Sequence, residues 1–505
     1  MLYVSKDEKG KKIKKLEMFP LRQNMNKTIS SIRWTLSTSI IRRVITILLY
    51  IVIARSISKS DLGAFREFSI ILGIFILFLP LGLDYFFIVS QKNNHQNYLN
   101  FSIITLLLGI ISAIVLYFIA PILGNYYHSQ LLKKFLSYGF LILIIHSFRL
   151  IFKKYFIKNI DFKTVSIAET INVLLYSVLV IIVLIFYKSV WVLFLGFYIG
   201  DTVETFYLFL KDREYFLTNL KNFISWKAVK QSYASIKENF SFCFNTSAIH
   251  IVNYLSNNAP IFLLGIYLSS AEVGIYYIAN QMIALPVSLL TESLSRVFLP
   301  CLSRLQISQM RERINEFTKM ATILIWPLFI SFAFILDKLI ILLLTEKWIC
   351  AIPIARIILI YTGFNILVNP ISSVPIIMRR PDLELKWNIL ATILKGTALI
   401  IGAKYGLATA ILLFSFANVL LYLLFQYLIA YLLKMNFWKF ISNYLFYLVY
   451  FIPYAIVLFL LKMLGMSAIM YVSFVLILNI TIYFVLNYTL KGQLLNTVRQ
   501  FTRLK

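Results

Sequence analysis

Six ionisable side chains stand inside long apolar stretches: Arg42, Arg43 and Lys395 among the bases, Asp84, Asp201 and Glu204 among the acids. A charge at the centre of an apolar helix costs about 2.5–3.5 kcal/mol on insertion scales, so it persists where it faces water, an opposite charge or a ligand. Two chemistries are open to such groups beside mutual neutralisation. A guanidinium or ammonium in a low-dielectric cavity can host an anion, the guanidinium as a planar fork. A carboxylate can take up a proton or a sodium ion. Arg43 lies twelve residues before Arg55, roughly 18 Å below the outer end of its stretch at 1.5 Å per residue, too deep to reach either surface. Arg42 points about 100° away and lies nearer the inner side, so either can be the cavity residue. Arg43 is expected to contact an anion or to pair with Asp84. Lys395 sits nine residues from both Lys386 and Lys404, which makes it the cationic candidate of the second half. Arg356 is only about one turn from the surface and is expected to snorkel.

Asp201 and Glu204 are spaced i, i+3 and share a helix face, where they can couple an ion or neutralise arginines. Glu169 and Glu292 are also at depth. His250 and His146 read as hydrogen-bonded packing residues. Asn257, Asn258 and Pro260 predict a kink or polar break. No spacing matches a metal site, and no catalytic constellation is present. Cys243, Cys301 and Cys350 are scattered and predict neither a disulfide framework nor a zinc site.

The elements that must position these groups follow from composition. The chain has 505 residues, is 60% hydrophobic and 14% charged, and has a mean hydropathy of +0.82. That excludes an ordinary soluble protein and leaves no room for a large soluble domain beside the membrane crossings. Hydropathy places fourteen crossings, at about 34–55, 68–90, 99–121, 131–152, 165–187, 191–211, 240–267, 274–298, 317–344, 352–378, 385–403, 407–432, 441–463 and 467–488.

The net charge of +28 comes from 49 Lys and Arg against 21 Asp and Glu. With the amino terminus inside, 35 of the 49 fall on inner segments, 10 on outer ones and 4 within helices. That asymmetry is the positive-inside signature, so the basic excess reads as orientation and not as a nucleic-acid footprint. Arg149, Lys153, Lys154, Lys158 and Lys163 accordingly read as topology determinants. The first 33 residues lack the short apolar core of a signal peptide, so both termini are expected in the cytoplasm.

Ser58, Asp61, Gly63 and Phe65 after the first crossing recur as Ser269, Glu272, Gly274 and Tyr276 after the seventh, at a constant offset of 211 residues. In each copy the Ser and the acid are placed to cap the next helix, and the Gly permits close packing at its first turn. Six crossings separate the copies, so both run in the same direction. The expected fold is an all-α polytopic membrane protein with about 14 transmembrane helices, arranged as two parallel six-helix lobes plus two extra C-terminal helices. The expected divisions are a basic cytoplasmic segment (1–33), a first lobe (34–211), a cytoplasmic connection lying on the membrane surface (212–239), a second lobe (240–432), helices thirteen and fourteen (433–488) and a basic tail (489–505).

The stretch Leu263-Leu264-Gly265-Ile266-Tyr267-Leu268-Ser269, then Val273-Gly274-Ile275-Tyr276-Tyr277-Ile278-Ala279, Leu285-Pro286, Phe298-Leu299-Pro300 and Ser303 resembles crossings seven and eight of bacterial polysaccharide transporters. These are the lipid-linked oligosaccharide flippases of the multidrug/oligosaccharidyl-lipid/polysaccharide exporter superfamily. Glu346-Lys347-Trp348 with Ala351, Pro353 and Ile354 resembles the family's loop between crossings nine and ten, and departs from it at Thr345, where the family usually places Gly. Arg33-Trp34-Thr35 and Ala54-Arg55-Ser56-Ile57-Ser58 also fit, and the resemblance extends through residue 432.

What the resemblance implies is movement of an undecaprenyl-pyrophosphate-linked sugar unit from the inner to the outer leaflet by alternating access, in the bacterial inner membrane. The pyrophosphate would then be the anion met by Arg43, Arg42 or Lys395. Arg43-Val44 through Ala54-Arg55 is similar to the first helix of lipid II flippases, whose arginine lines the cavity; their further arginine in helix eight has no counterpart here except Arg296, near the cytoplasmic end. No cofactor is expected, and turnover would be driven by a proton, a sodium ion or the membrane potential. The expected partners are the lipid-linked oligosaccharide and membrane lipids, with polysaccharide polymerase machinery as a candidate, and the expected state is a monomer. The alternative is a drug or organic-cation antiporter of the same superfamily; such pumps need acids in the pathway, yet crossings one and seven contain none. An enzyme acting on the same glycans would need a substantial outer loop, and the outer loops are short.

Overall fold

The computed structural model describes residues 21–89, 94–223, 240–302, 307–368, 371–372, 374–378 and 380–489. These form seventeen α-helices and no strand among the described residues. Eight of the helices are long and apolar enough to cross a bilayer. The chain is an all-helical polytopic membrane protein, and each expected crossing has a helical counterpart.

The first half consists of α1 (Leu21–Ser56), α2 (Lys59–Phe78), α3 (Leu83–Val89), α4 (Asn94–Tyr126), α5 (Gln130–Lys158), α6 (Phe162–Phe186) and α7 (Trp191–Phe223). Crossing two is therefore two helices and not one. Leu81 and Gly82, with φ of 42° and 72°, turn the chain through left-handed backbone just after Pro80, a geometry that no helix can propagate. Packing pairs α4 with α5, α6 with α7, α1 with α6, and α5 with both α7 and α2. Aromatic rings fill the outer half: Phe135 lies 4.8 Å from Trp191, 5.6 Å from Phe68 and 5.7 Å from Phe194 between ring centroids.

The second half consists of α8 (Phe240–Tyr267), α9 (Ser270–Leu302), α10 (Ile307–Leu344), a 3₁₀ turn (Glu346–Trp348), α11 (Ala351–Val368), α12 (Val374–Ile377), α13 (Pro381–Ala403) and α14 (Leu407–Leu432). Here α13 pairs with α14 and with α8, and α11 packs on α9, α10 and α14. Of the kink or polar break expected at Asn257, Asn258 and Pro260, an interruption of the helix is absent: α8 runs unbroken with Pro260 inside it, and Asn258 Nδ2 donates to the Tyr254 carbonyl at 2.9 Å, so that amide is spent within its own helix.

Crossing thirteen is split into α15 (Phe437–Tyr450) and α16 (Ile452–Met463), the latter opening with Pro453 in its first turn, where proline's missing N–H costs nothing. Crossing fourteen is α17 (Ala468–Thr489). All three pack on α10. Tyr454 Oη meets Ser331 Oγ at 2.5 Å, Tyr483 Oη donates to the Leu324 carbonyl at 2.5 Å, and Lys462 reaches Asp337 at 2.6 Å. Arg356, expected to snorkel, keeps half its side chain exposed and shares Asp337 at 3.6 Å. Residues 1–20, most of the 212–239 connection beyond Phe223, and the basic tail lie outside the described residues.

Candidate functional site

The first bundle carries a charge network toward the C-terminal end of α5. Arg149 on α5 places Nη1 against Asp201 Oδ1 and, at 3.0 Å, Glu204 Oε2, while its Nη2 lies 2.6 Å from His146 Nδ1. Asn172 on α6 donates to both carboxylates, at 3.0 Å to Asp201 and 2.6 Å to Glu204. Asp201 and Glu204 are each 2% exposed. The i, i+3 spacing read from the sequence thus places two acids on one guanidinium, with an amide sharing the load.

A neighbouring carboxylate, Glu169, is held by Arg42 at 2.5 Å and by Lys153 at 2.6 Å. Asp84 on α3 is held by Lys154 at 2.7 Å. The pairing of Asp84 with Arg43 that the sequence left open is therefore corrected: the partner of Asp84 is a lysine of α5. Arg149, Lys153 and Lys154, which read as topology determinants, also carry their heads onto buried or half-buried acids. Lys158 donates to the Phe87 carbonyl at 2.5 Å, and Lys163 lies over the Trp34 ring at 5.3 Å. Four bases here face four acids, tying α1, α3, α5, α6 and α7 into one unit. Arg43 follows Arg42 on α1 and is half-buried. His250 stacks on Tyr85 with centroids 5.0 Å apart. The side chains of Glu292 and Arg296 lie outside the described residues.

Lys395 is elsewhere, in the second bundle. It lines a cavity of about 300 Å³ enclosed by α8, α11, α13 and α14. Its ammonium lies 5.4 Å from the centre of the Tyr422 ring. The same cavity takes Asn253 and Asn257 from α8, one turn apart, and Asn388 and Trp387 from α13. Asn253, Asn257 and Asn388 are exposed and line the void. Only Lys395 and Asn257 of this group were legible beforehand, and Asn257 for a different reason.

The two halves meet through the repeated motif, at the end of the bundle that the sequence reading assigns to the outer side. Ser58 Oγ accepts from the Asp61 N–H at 3.1 Å, and Ser269 and Glu272 exchange the reciprocal bonds of a capping box. The two glycines then face each other: a Cβ on Gly63 would stand 1.6 Å from the Ser270 carbonyl oxygen, and one on Gly274 would stand 2.1 Å from that of Lys59. Ser270 Oγ also donates to Glu67 Oε2 at 3.1 Å, and Tyr50 Oη donates to the Ile278 carbonyl at 3.0 Å.

A latch beside this junction joins α1 to the end of α10. Arg55 donates to the carbonyls of Leu343 at 2.7 Å and Leu342 at 2.8 Å, the C-terminal oxygens that a helix leaves open. In return, Trp348 Nε1 donates to the Ala54 carbonyl at 2.8 Å, and Lys347 Nζ reaches the carbonyls of Ala54 and Ile57. Trp348 is fully buried. The turn that delivers it starts at Thr345 with φ 78° and ψ 170°, backbone that is nearly confined to glycine and costs a side chain about 1–3 kcal/mol. The departure from glycine noted in the sequence therefore falls on a strained position.

Residues 52–353 match the model of a family described as polysaccharide biosynthesis protein. The chain is 25% identical over 349 residues to the teichuronic acid biosynthesis protein TuaB of Bacillus subtilis (strain 168), covering 66% of this chain and 68% of that one. It is 22% identical over 404 residues to the lipopolysaccharide biosynthesis protein WzxC of Escherichia coli (strain K12), covering 78% and 80%. Its fold is similar to a solved structure of the lipid II flippase MurJ in an inward closed conformation, with a TM-score of 0.68 at 14% identity, covering 90% of this chain and 99% of that one.

Proposed function

The chain belongs to the polysaccharide biosynthesis protein family, and from that premise we propose that it is a flippase carrying an undecaprenyl-pyrophosphate-linked oligosaccharide from the inner to the outer leaflet of a bacterial cell membrane. The reading is supported by relatives that are named for building teichuronic acid and lipopolysaccharide. A fold similar to that of a lipid II flippase agrees with it.

The observation that carries it is the outer junction. Two bundles that begin with the same motif touch there at glycines, with bare backbone against bare backbone. A contact of that kind seals the outer side tightly and holds no ion pair that must break, so it can part when the bundles rock. That is the physical requirement of alternating access. The Arg55 and Trp348 contacts fix the register in which the seal re-forms.

Arg43 is assigned to the pyrophosphate, because a guanidinium at that depth in an apolar bundle matches a phosphate's paired oxygens. Lys395 serves the second bundle. The antiporter alternative needs acids on the pathway, and Asp84, Glu169, Asp201 and Glu204 are each held by a base, which leaves Glu67 at the junction and Glu384 in the second bundle as the acids such a reading would have to use. Asp201 and Glu204 are read as structural, so coupling by a proton or sodium ion is assigned to neither. The protein is taken to act as a monomer with both termini in the cytoplasm, upstream of polysaccharide polymerase machinery.

Replacing Arg43 tests the assignment. Arg43→Ala is expected to abolish export of the surface glycan while the protein stays at wild-type abundance in the membrane. Normal export in that variant would remove Arg43 from the mechanism.

A further inference from the structure

The cavity around Lys395 has a chemistry of its own. Its amides are neutral and come from three helices: Asn253 and Asn257 on α8, Asn365 on α11 and Asn388 on α13. Each asparagine offers one acceptor oxygen and two donor hydrogens, the complement of neighbouring hydroxyl groups on a sugar ring. Trp387, which packs against Phe425 at 5.2 Å, and Tyr422 supply flat apolar faces. Ring faces of that kind cover the C–H side of a pyranose.

Charge narrows the ligand further. Among the described residues no carboxylate lies within 4 Å of the Lys395 ammonium, whose recorded neighbour is the Tyr422 ring. Glu384 also lines the cavity, but it is eleven residues earlier on α13, roughly 16 Å along the axis at 1.5 Å per residue. Asn365 Oδ1, also in the lining, is buried without a hydrogen-bond partner, and a buried polar atom left so costs about 1–3 kcal/mol until something donates to it. A bare metal cation would be repelled by Lys395, and a purely apolar molecule would strand the amides. A volume of about 300 Å³ lies near the lower end of ligand pockets and suits one sugar residue rather than a whole oligosaccharide.

We propose that this second-bundle cavity is the saccharide-reading subsite of the transporter, taking one sugar residue that carries an anionic substituent of the uronic acid type. The asparagine amides meet its hydroxyls, Trp387 and Tyr422 cover its ring, and Lys395 neutralises its carboxylate. The assignment rests on the flippase reading for its role in transport, but the binding itself does not need transport and can be measured apart from it.

The test uses the full-length chain in lipid nanodiscs with Cys243, Cys301 and Cys350 changed to serine and one reporter, Ser256→Cys, at the cavity wall. The rate of maleimide alkylation is measured in the presence of galacturonate, glucuronate, the parent hexoses galactose and glucose, or inorganic pyrophosphate. At least one uronate is expected to slow alkylation saturably, at a concentration at least tenfold below that of its parent hexose. Adding Lys395→Gln is expected to erase that difference and to leave the weaker hexose protection in place, which also shows that the variant is folded. Arg43→Ala is expected to change nothing. Protection by pyrophosphate equal to that of the uronates would make this a head-group site and overturn the proposal, as would the absence of protection by every sugar. Sugar protection without lipid flipping would overturn the flippase reading alone.

Discussion

Removing Arg149 is expected to collapse the first bundle, not merely to slow transport. Its guanidinium is the shared counter-charge of Asp201 and Glu204, both 2% exposed and on one face of α7. Truncation to Arg149→Met leaves two carboxylates in an apolar bundle whose remaining side-chain hydrogen-bond partners, among the described residues, are Asn172 and His146. Breaking a buried pair by deleting one partner costs about 3–5 kcal/mol, a factor of at least ~100 in the folded population, so membrane abundance should fall close to zero. The triple variant Arg149→Met, Asp201→Asn, Glu204→Gln carries no uncompensated charge and is expected to restore abundance. On the proposed structural role of the two acids, it should also restore transport, with pH and sodium dependence unchanged. Wild-type abundance of Arg149→Met alone would contradict the structural role. Recovered abundance with lost or altered ion dependence would return Asp201 and Glu204 to the coupling mechanism.

Widening the outer junction should trap the protein with its outer side open. Gly63 and Gly274 face the backbone carbonyls of Ser270 and Lys59 so closely that even a methyl group would stand 1.6 Å or 2.1 Å from oxygen. Real carbon atoms do not approach oxygen to that distance, and a helix backbone, unlike a flexible side chain, yields only by moving as a body. Gly63→Val is therefore expected to keep α2 and α9 apart and to lower export by more than tenfold at normal abundance. Ala279, fully buried behind the seal, provides the readout. A cysteine placed there should become reactive to an impermeant maleimide added from outside in the Gly63→Val background and stay silent in the wild type. Undiminished export, or a silent reporter, would show that the junction is not a gate.

The architecture was legible because hydropathy, charge asymmetry and the 211-residue repeat report on the same thing, the passage of each helix through lipid. The repeat even located the outer junction, since its capping residues and glycines act locally. The charge network was read only in part. Arg149, Lys153 and Lys154 lie near the C-terminal end of α5, where a base that orients the helix and a base that pairs with a buried acid look identical in sequence; the partners Glu169, Asp201 and Asp84 come from three other helices. Asn172 gave no signal, because its role depends on where α6 meets α7. The cavity around Lys395 was reduced to a single lysine for the same reason: Asn253, Asn365 and Asn388 belong to helices that no periodicity brings together. Breaks at Leu81–Gly82 and before Pro453 escaped detection because hydropathy runs smoothly across them.

The most direct measurement places the purified full-length chain in liposomes containing an undecaprenyl-pyrophosphate-linked oligosaccharide, and follows how fast the pool sealed in the inner leaflet becomes accessible to an impermeant reagent added outside. A rate well above that of protein-free vesicles, lost in Gly63→Val and in Arg43→Ala, is the predicted result. Accessibility no faster than in empty vesicles, with the protein folded in the bilayer and a small organic cation crossing instead, would contradict it.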